Sequence, residues 1–249
     1  QAFLRWMADD HFTFLGYDEY DFVSDKKGME VTRVANSELG ILRVNNERPD
    51  SVRLNELPQR TRQEMTRTDD VFIFAKSAQR SRVHRPAYPD YIAVKKFNNK
   101  GEVVGERRFL GLYTARAYNE RPVEIPLLRR KFRTVMERSG FLTDDYAGKE
   151  LEQILTVYPR DELFQIADEE LLSVAKNILY IQERRRIELF MREDVYGQFV
   201  TCLAFFPRDI YNTELRLKVE QVLREQLEAE DIEFVTHFSE SVLARVQFT

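Results

Sequence analysis

The chain has 249 residues, 43% hydrophobic and 32% charged. That balance is globular, not disordered, and suffices for one large domain or two modest ones. Its 38 Lys and Arg against 42 Asp and Glu leave a net charge of −4, which favours neither nucleic acid nor a membrane surface as a partner. Cys202 is the single cysteine, so no intrachain disulfide can form, as suits a cytoplasmic protein, and no apolar run reaches the roughly 18 residues of a membrane span.

In chain order, residues 1 to about 118 read as strand-rich. Gln1 to Asp10 reads as the tail of a helix, and the chain closes inside the apolar alternation Val242 to Phe248, so both ends are expected to be cuts in a longer polypeptide. Phe12 to Phe22 alternates apolar and polar residues from Tyr17 on, a strand period; Ser24 to Gly28 is a turn and Met29 to Val34 returns, completing a hairpin. Leu39 to Leu42 is a short apolar element, and Pro49 to Arg67 is polar and partly helical, interrupted at Pro58. Val71 to Lys76 is a strand. Tyr91 to Phe97 and Val103 to Tyr113 form a closing hairpin around Asn98–Gly101. Strands and small helices without alternation predict an α+β fold, an antiparallel sheet with helices on one face.

Residues 119–184 read as helical: Ile125 to Ser139 ended by Gly140, Tyr146 to Val157 stopped by Pro159, and Glu162 to Arg184 with a break near Asp168–Glu169. Residues 185–249 read as a second α/β unit. Strands Ile187 to Arg192 and Gln198 to Phe206 precede a helix, Tyr211 to Glu228, whose inner face is Leu215, Val219, Val222, Leu223 and Leu227. Strands Ile232 to Phe238 and Val242 to Phe248 follow. Tyr158–Asp161 and Phe206–Asp209 each precede a helix, where Asp161 and Asp209 are expected to cap free N–H groups.

Catalytic patterns are missing from the sequence. Gly101, Gly105 and Gly111 do not fit a dinucleotide fingerprint, and no phosphate loop, serine elbow or zinc spacing around His11, His84 or His237 occurs. Cys202, inside Phe199 to Phe206, reads as a buried hydrophobe, and of Lys95 and Lys96 one must face away from the core, on the sheet surface. The densest candidate is Val83 to Tyr91, where His84, Arg85, Tyr88 and Tyr91 suit a subunit anchor, a pocket for a small anionic ligand or simply a rigid loop against the core.

Phe12–Tyr17, Leu39–Arg43, Val83–Arg85, Gly105–Thr114, Ile125–Arg129, Tyr158–Phe164 and Pro207–Thr213 resemble, in order, the amino-terminal regulatory region of the large bacterial NAD-specific glutamate dehydrogenases. The resemblance implies a PAS-like domain over residues 1–118, a helical connector over 119–184 and an ACT-like, ferredoxin-like domain over 185–249. It implies a parent enzyme that deaminates glutamate oxidatively with NAD. Catalytic, cofactor-binding and metal residues would lie elsewhere in that enzyme, and none is carried over. Partners would be the enzyme's other domains and subunits in an oligomer, with no nucleic acid or membrane. The ACT pattern βαββαβ is here ββαββ, so either the remainder lies beyond Thr249 or the module is a variant. An amino-acid effector would meet the loop before the helix, with Arg208 on its carboxylate and Asp209, Asn212 and Thr213 around the helix start. The alternative is an oligomerisation module that binds no effector.

Overall fold

The computed structural model describes residues 1–26, 28–43, 50–184, 186–238 and 241–249. Lys27 of the expected turn and Pro49 at the start of the expected polar stretch lie outside the described residues. The chain forms two compact units. Unit 1 comprises Gln1–Leu127, Arg160–Gln165 and Asp194–Phe199, and unit 2 comprises Leu128–Pro159, Ile166–Glu193 and Val200–Thr249.

Unit 1 is built on an antiparallel sheet. Its strands are β1 (Phe12–Asp25), β2 (Gly28–Arg33), β3 (Leu39–Gly40), β4 (Ser51–Arg53), β5 (Phe72–Lys76), β6 (Asp90–Phe97) and β7 (Val103–Tyr113), in the order β4-β2-β1-β7-β6-β5 with β3 also on β1. The long β1 serves three partners: its first part pairs with β7, Gly16 and Tyr17 also with β3, and its end with β2, with a bulge between Phe14 and Gly16. The β6–β7 hairpin turns through Gly101, whose φ of +78° is strained for any residue with a Cβ. Among the described residues, the α-helices of this unit are α1 (Ala2–Trp6), α2 (Gln59–Thr66), α3 (Ala115–Asn119) and α6 (Arg160–Gln165).

They lie on both faces of the sheet, not on one. Strand β5 explains why, because Phe-Ile-Phe-Ala is apolar on both sides of the pleat. Ile73 and Ala75 join a core with Met65 of α2, Tyr20, Tyr91 and Leu110. Phe72 and Phe74 face the opposite way, onto Phe3 of α1 and, for Phe74, Phe164 of α6. Pro58 precedes α2 and starts it, since a proline ring suits a helix entry.

Unit 2 contains α4 (Leu128–Ser139), α5 (Tyr146–Val157) and α7 (Asp168–Arg184), together with a second antiparallel sheet. Its strands are β8 (Glu188–Glu193), β9 (Val200–Pro207), β10 (Phe234–Phe238) and β11 (Leu243–Phe248), in the order β10-β11-β9-β8. Helix α8 (Thr213–Gln226) covers Cys202, Ala204, Phe206, Val246 and Phe248. Gly140, with φ +76°, follows the last turn of α4. The inner face of α8 is narrower than its apolar pattern suggests. Leu215, Val219 and Leu223 pack inward, one turn apart, but Val222 is 56% exposed and Leu227 37%. Arg216 stacks over Phe234 of β10 at 3.9 Å.

Candidate functional site

The most concentrated polar chemistry in unit 1 lies where β5 ends and β6 begins. Lys76 and Asp90 are directly opposed in the β5–β6 register, and both share the pleat face of Phe74. Asp161, on α6, meets them there. The Lys76 ammonium lies 3.2 Å from Asp90 Oδ1 and 3.2 Å from Asp161 Oδ2, and no side chain of the three is more than 13% exposed.

Burial drives the Asp90 carboxyl above the usual range; Lys76 opposes this, while the charge of Asp161 adds to it. Burial works to raise Asp161 as well, but the ammonium and the backbone N–H groups of Asp161 and Glu162 hold it below the usual range. Burial also works against the charge on Lys76, yet the two carboxylates keep its affinity for a proton raised. An ammonium so held is no nucleophile. What the arrangement does is bind α6 to the sheet.

A second cluster on the other face of the sheet escaped sequence reasoning. The Arg108 guanidinium pairs with Glu106, which is fully buried, and stacks 3.7 Å over Tyr20 and 5.2 Å over Tyr91. Burial works against the Arg108 charge, but Glu106 raises its pKa well above the ordinary value. The signal was present: positions i and i+2 of a strand share a face, and β7 carries its ion pair on that spacing.

A third cluster surrounds Trp6. Its indole N–H donates to Glu120 Oε2 at 2.7 Å, its ring stacks on His11 at 4.5 Å, and His11 Nε2 lies 2.8 Å from the same carboxylate oxygen. Among the described residues no group of His, Cys, Asp and Glu suits a metal ion.

The sequence candidates His84, Arg85, Tyr88 and Tyr91 do not converge on one pocket. His84 is exposed with φ +68°. Arg85 is exposed and donates to the Tyr113 carbonyl at 3.2 Å. Tyr88 packs on Phe199, whereas Tyr91 turns into the core beside Tyr196. Of the two neighbouring lysines, Lys95 is the one that faces inward. It is 4% exposed and donates to the carbonyls of Glu64 and Arg67 at 2.6 and 2.8 Å, closing the end of α2. Lys96 points the other way and pairs with Asp21 and Glu19.

In unit 2, Arg208, Asp209, Asn212 and Thr213 are all exposed around the start of α8. Asn212 is the cap, accepting the Leu215 N–H at 2.8 Å, so the capping expected of Asp209 falls to a residue nearer the helix. Arg208 donates to the Ser241 carbonyl at 3.5 Å and lies 5.5 Å from the Phe238 ring. Cys202 is buried, 1% exposed. His237 and Arg245 oppose each other across β10–β11; burial and then the Arg245 charge lower the His237 pKa.

Comparison with known proteins gives two family matches. Residues 125–184 match the glutamate dehydrogenase helical motif 1, and residues 188–249 match the glutamate dehydrogenase ACT2 domain. The chain is 49% identical over 253 residues to the NAD-specific glutamate dehydrogenase of Halomonas elongata and 47% identical over 250 residues to that of Pseudomonas aeruginosa. It is 32% identical over 245 residues to that of Mycobacterium tuberculosis. These matches cover 98% to 100% of this chain but only 14% or 15% of each relative.

Proposed function

Because this chain is homologous along its whole length to part of the NAD-specific glutamate dehydrogenases, we propose that it is a non-catalytic regulatory and assembly segment of such an enzyme. The parent would carry out oxidative deamination of L-glutamate to 2-oxoglutarate and ammonium in the cytoplasm, holding NAD in another part of its polypeptide. The observation that carries this reading is the ACT2 match on residues 188–249, folded as two strands, a helix and two strands. The span of about 15% of the relatives' length supports a segment working beside a separate catalytic domain. The sequence itself has no hydride-transfer fingerprint.

Within that reading, residues 1–118 form a PAS-like sensor or scaffold domain, 119–184 a helical connector and 185–249 an ACT-like domain. Partners are the other domains and subunits of the enzyme. An amino-acid effector would use the exposed start of α8, with Arg208 leaving Ser241 and Phe238 for the ligand carboxylate. Calorimetric titration of the 249-residue chain with the common amino acids tests this: saturable heat, lost in Arg208→Ala, is expected. No heat together with concentration-dependent association would favour the purely structural module. Turnover of glutamate and NAD by this chain alone would overturn the non-catalytic assignment.

A further inference from the structure

We propose that α6 is a releasable strap: Lys76, Asp90 and Asp161 clamp it to the sheet of unit 1 while the two carboxylates carry one negative charge between them, and a second negative charge loosens it. Five consecutive residues of this short helix, Arg160 to Phe164, are buried, so no side of it is left to solvent in the usual amphipathic way. Three of those five are charged. Arg160 donates to the carbonyls of Glu120 at 2.8 Å and Tyr118 at 3.4 Å. Phe164 stacks on Tyr113 and Phe74, each with ring centres 5.2 Å apart. Asp161 adds an ion pair to Lys76.

The charge count makes the link conditional. One ammonium faces two carboxylates. The other groups around them are the phenols of Tyr113 and Tyr118, the Tyr113 N–H on Asp90, and Arg85, which lies near Tyr118. Fully ionised, the Lys76 trio would carry a net negative charge out of water, which is costly. With one proton kept on Asp90 it is neutral.

The sign follows from the shifts. Asp90 is raised, chiefly by burial, so its share of docking is full below the ordinary carboxylate range and is lost as pH rises through its docked value. Asp161 is lowered, so its share is present above that range and is lost only on strong acidification. Docking therefore weakens upward in pH. Residues 158–159 and 166–167 join α6 directly to α5 and α7, so release would free the peptide linking two helices of the 125–184 motif. Unit 1 alone carries this device, whatever ligand unit 2 takes.

Trp6, the only tryptophan in the chain, lies 6.1 Å from Phe164 between ring centres, and its emission reports whether α6 is seated. The test follows Trp6 emission and hydrogen exchange of the 160–165 amides in the full 249-residue chain from about pH 5 to about pH 9. Corrected for intrinsic exchange, protection of those amides is expected to fall about tenfold or more across that range while the β1–β7 ladder holds. Asp90→Asn should flatten this dependence and keep α6 docked. Asp161→Asn should unseat it throughout, with Trp6 emission shifted to the red. Protection that is the same at both ends of the range, or a wild-type slope persisting in Asp90→Asn, would overturn the proposal. Should Asp161→Asn fail to fold, the wild type and Asp90→Asn decide the matter between them.

Discussion

Single residues in unit 1 show what burial does to charge. Glu106 is fully buried, and its Oε2 has no hydrogen-bond partner among the described residues. The pair with Arg108 survives because two tyrosine faces take the guanidinium from either side. Removing one partner would leave the other buried and uncompensated. Glu106→Gln is therefore expected to destabilise the protein by about 3–5 kcal/mol in urea unfolding. Lys218→Ala, which breaks a pair whose side chains are 69% and 77% exposed, should cost about 0–1 kcal/mol. Equal effects would mean that the buried pair is not what orders this face of the sheet. Lys95 follows the same logic. Lys95→Met leaves two carbonyls at the end of α2 without their donor, and a loss of about 1–3 kcal/mol is expected.

At the scale of elements, a cap placed by geometry differs from one guessed by motif. Asp209 looked like the cap of α8 because Pro207-Arg208-Asp209 repeats Pro159-Arg160-Asp161. The helix starts later, so Asn212 takes the role. Asn212→Ala should lower stability by about 0.5–2 kcal/mol in a denaturant melt, and Asp209→Ala should change it little. Helix α5 was legible to the residue, since its apolar period is closed by Pro159. The strand hairpins were legible from alternation, and the β6–β7 turn from Asn98–Gly101. The break between α6 and α7 was legible near Asp168, but not the burial of α6 on all sides. That depends on Lys76 and Asp90, which the β5–β6 register brings together, and on Asp161, which reaches them from α6 far along the sequence. Short-range periodicity holds no information about such a meeting. The exposure of Val222 was hidden for a related reason. Its apolar side chain fits the stripe, but the packing of Leu215, Val219 and Leu223 on the sheet leaves it outside.

Over the whole molecule, the two units should answer acidification in opposite directions. In unit 2, His237 has its pKa lowered, by burial first and then by the Arg245 charge directly across the strands. The unfolded chain binds that proton more readily than the fold does, so stability is present above about pH 6.5 and falls as pH drops through the folded value. In unit 1 the raised Asp90 works the other way, favouring the fold as pH falls, until strong acidification protonates the lowered Asp161. Hydrogen exchange of the β9–β11 amides should therefore quicken between about pH 6.5 and about pH 5, after correction for intrinsic rates, while the 160–165 amides of unit 1 become better protected. His237→Gln, which cannot take the proton, should remove the change in unit 2 and leave unit 1 as before. If both units loosened together and His237→Gln altered neither, the opposed histidine and arginine would have no part in the acid response of the ACT2-matching strands.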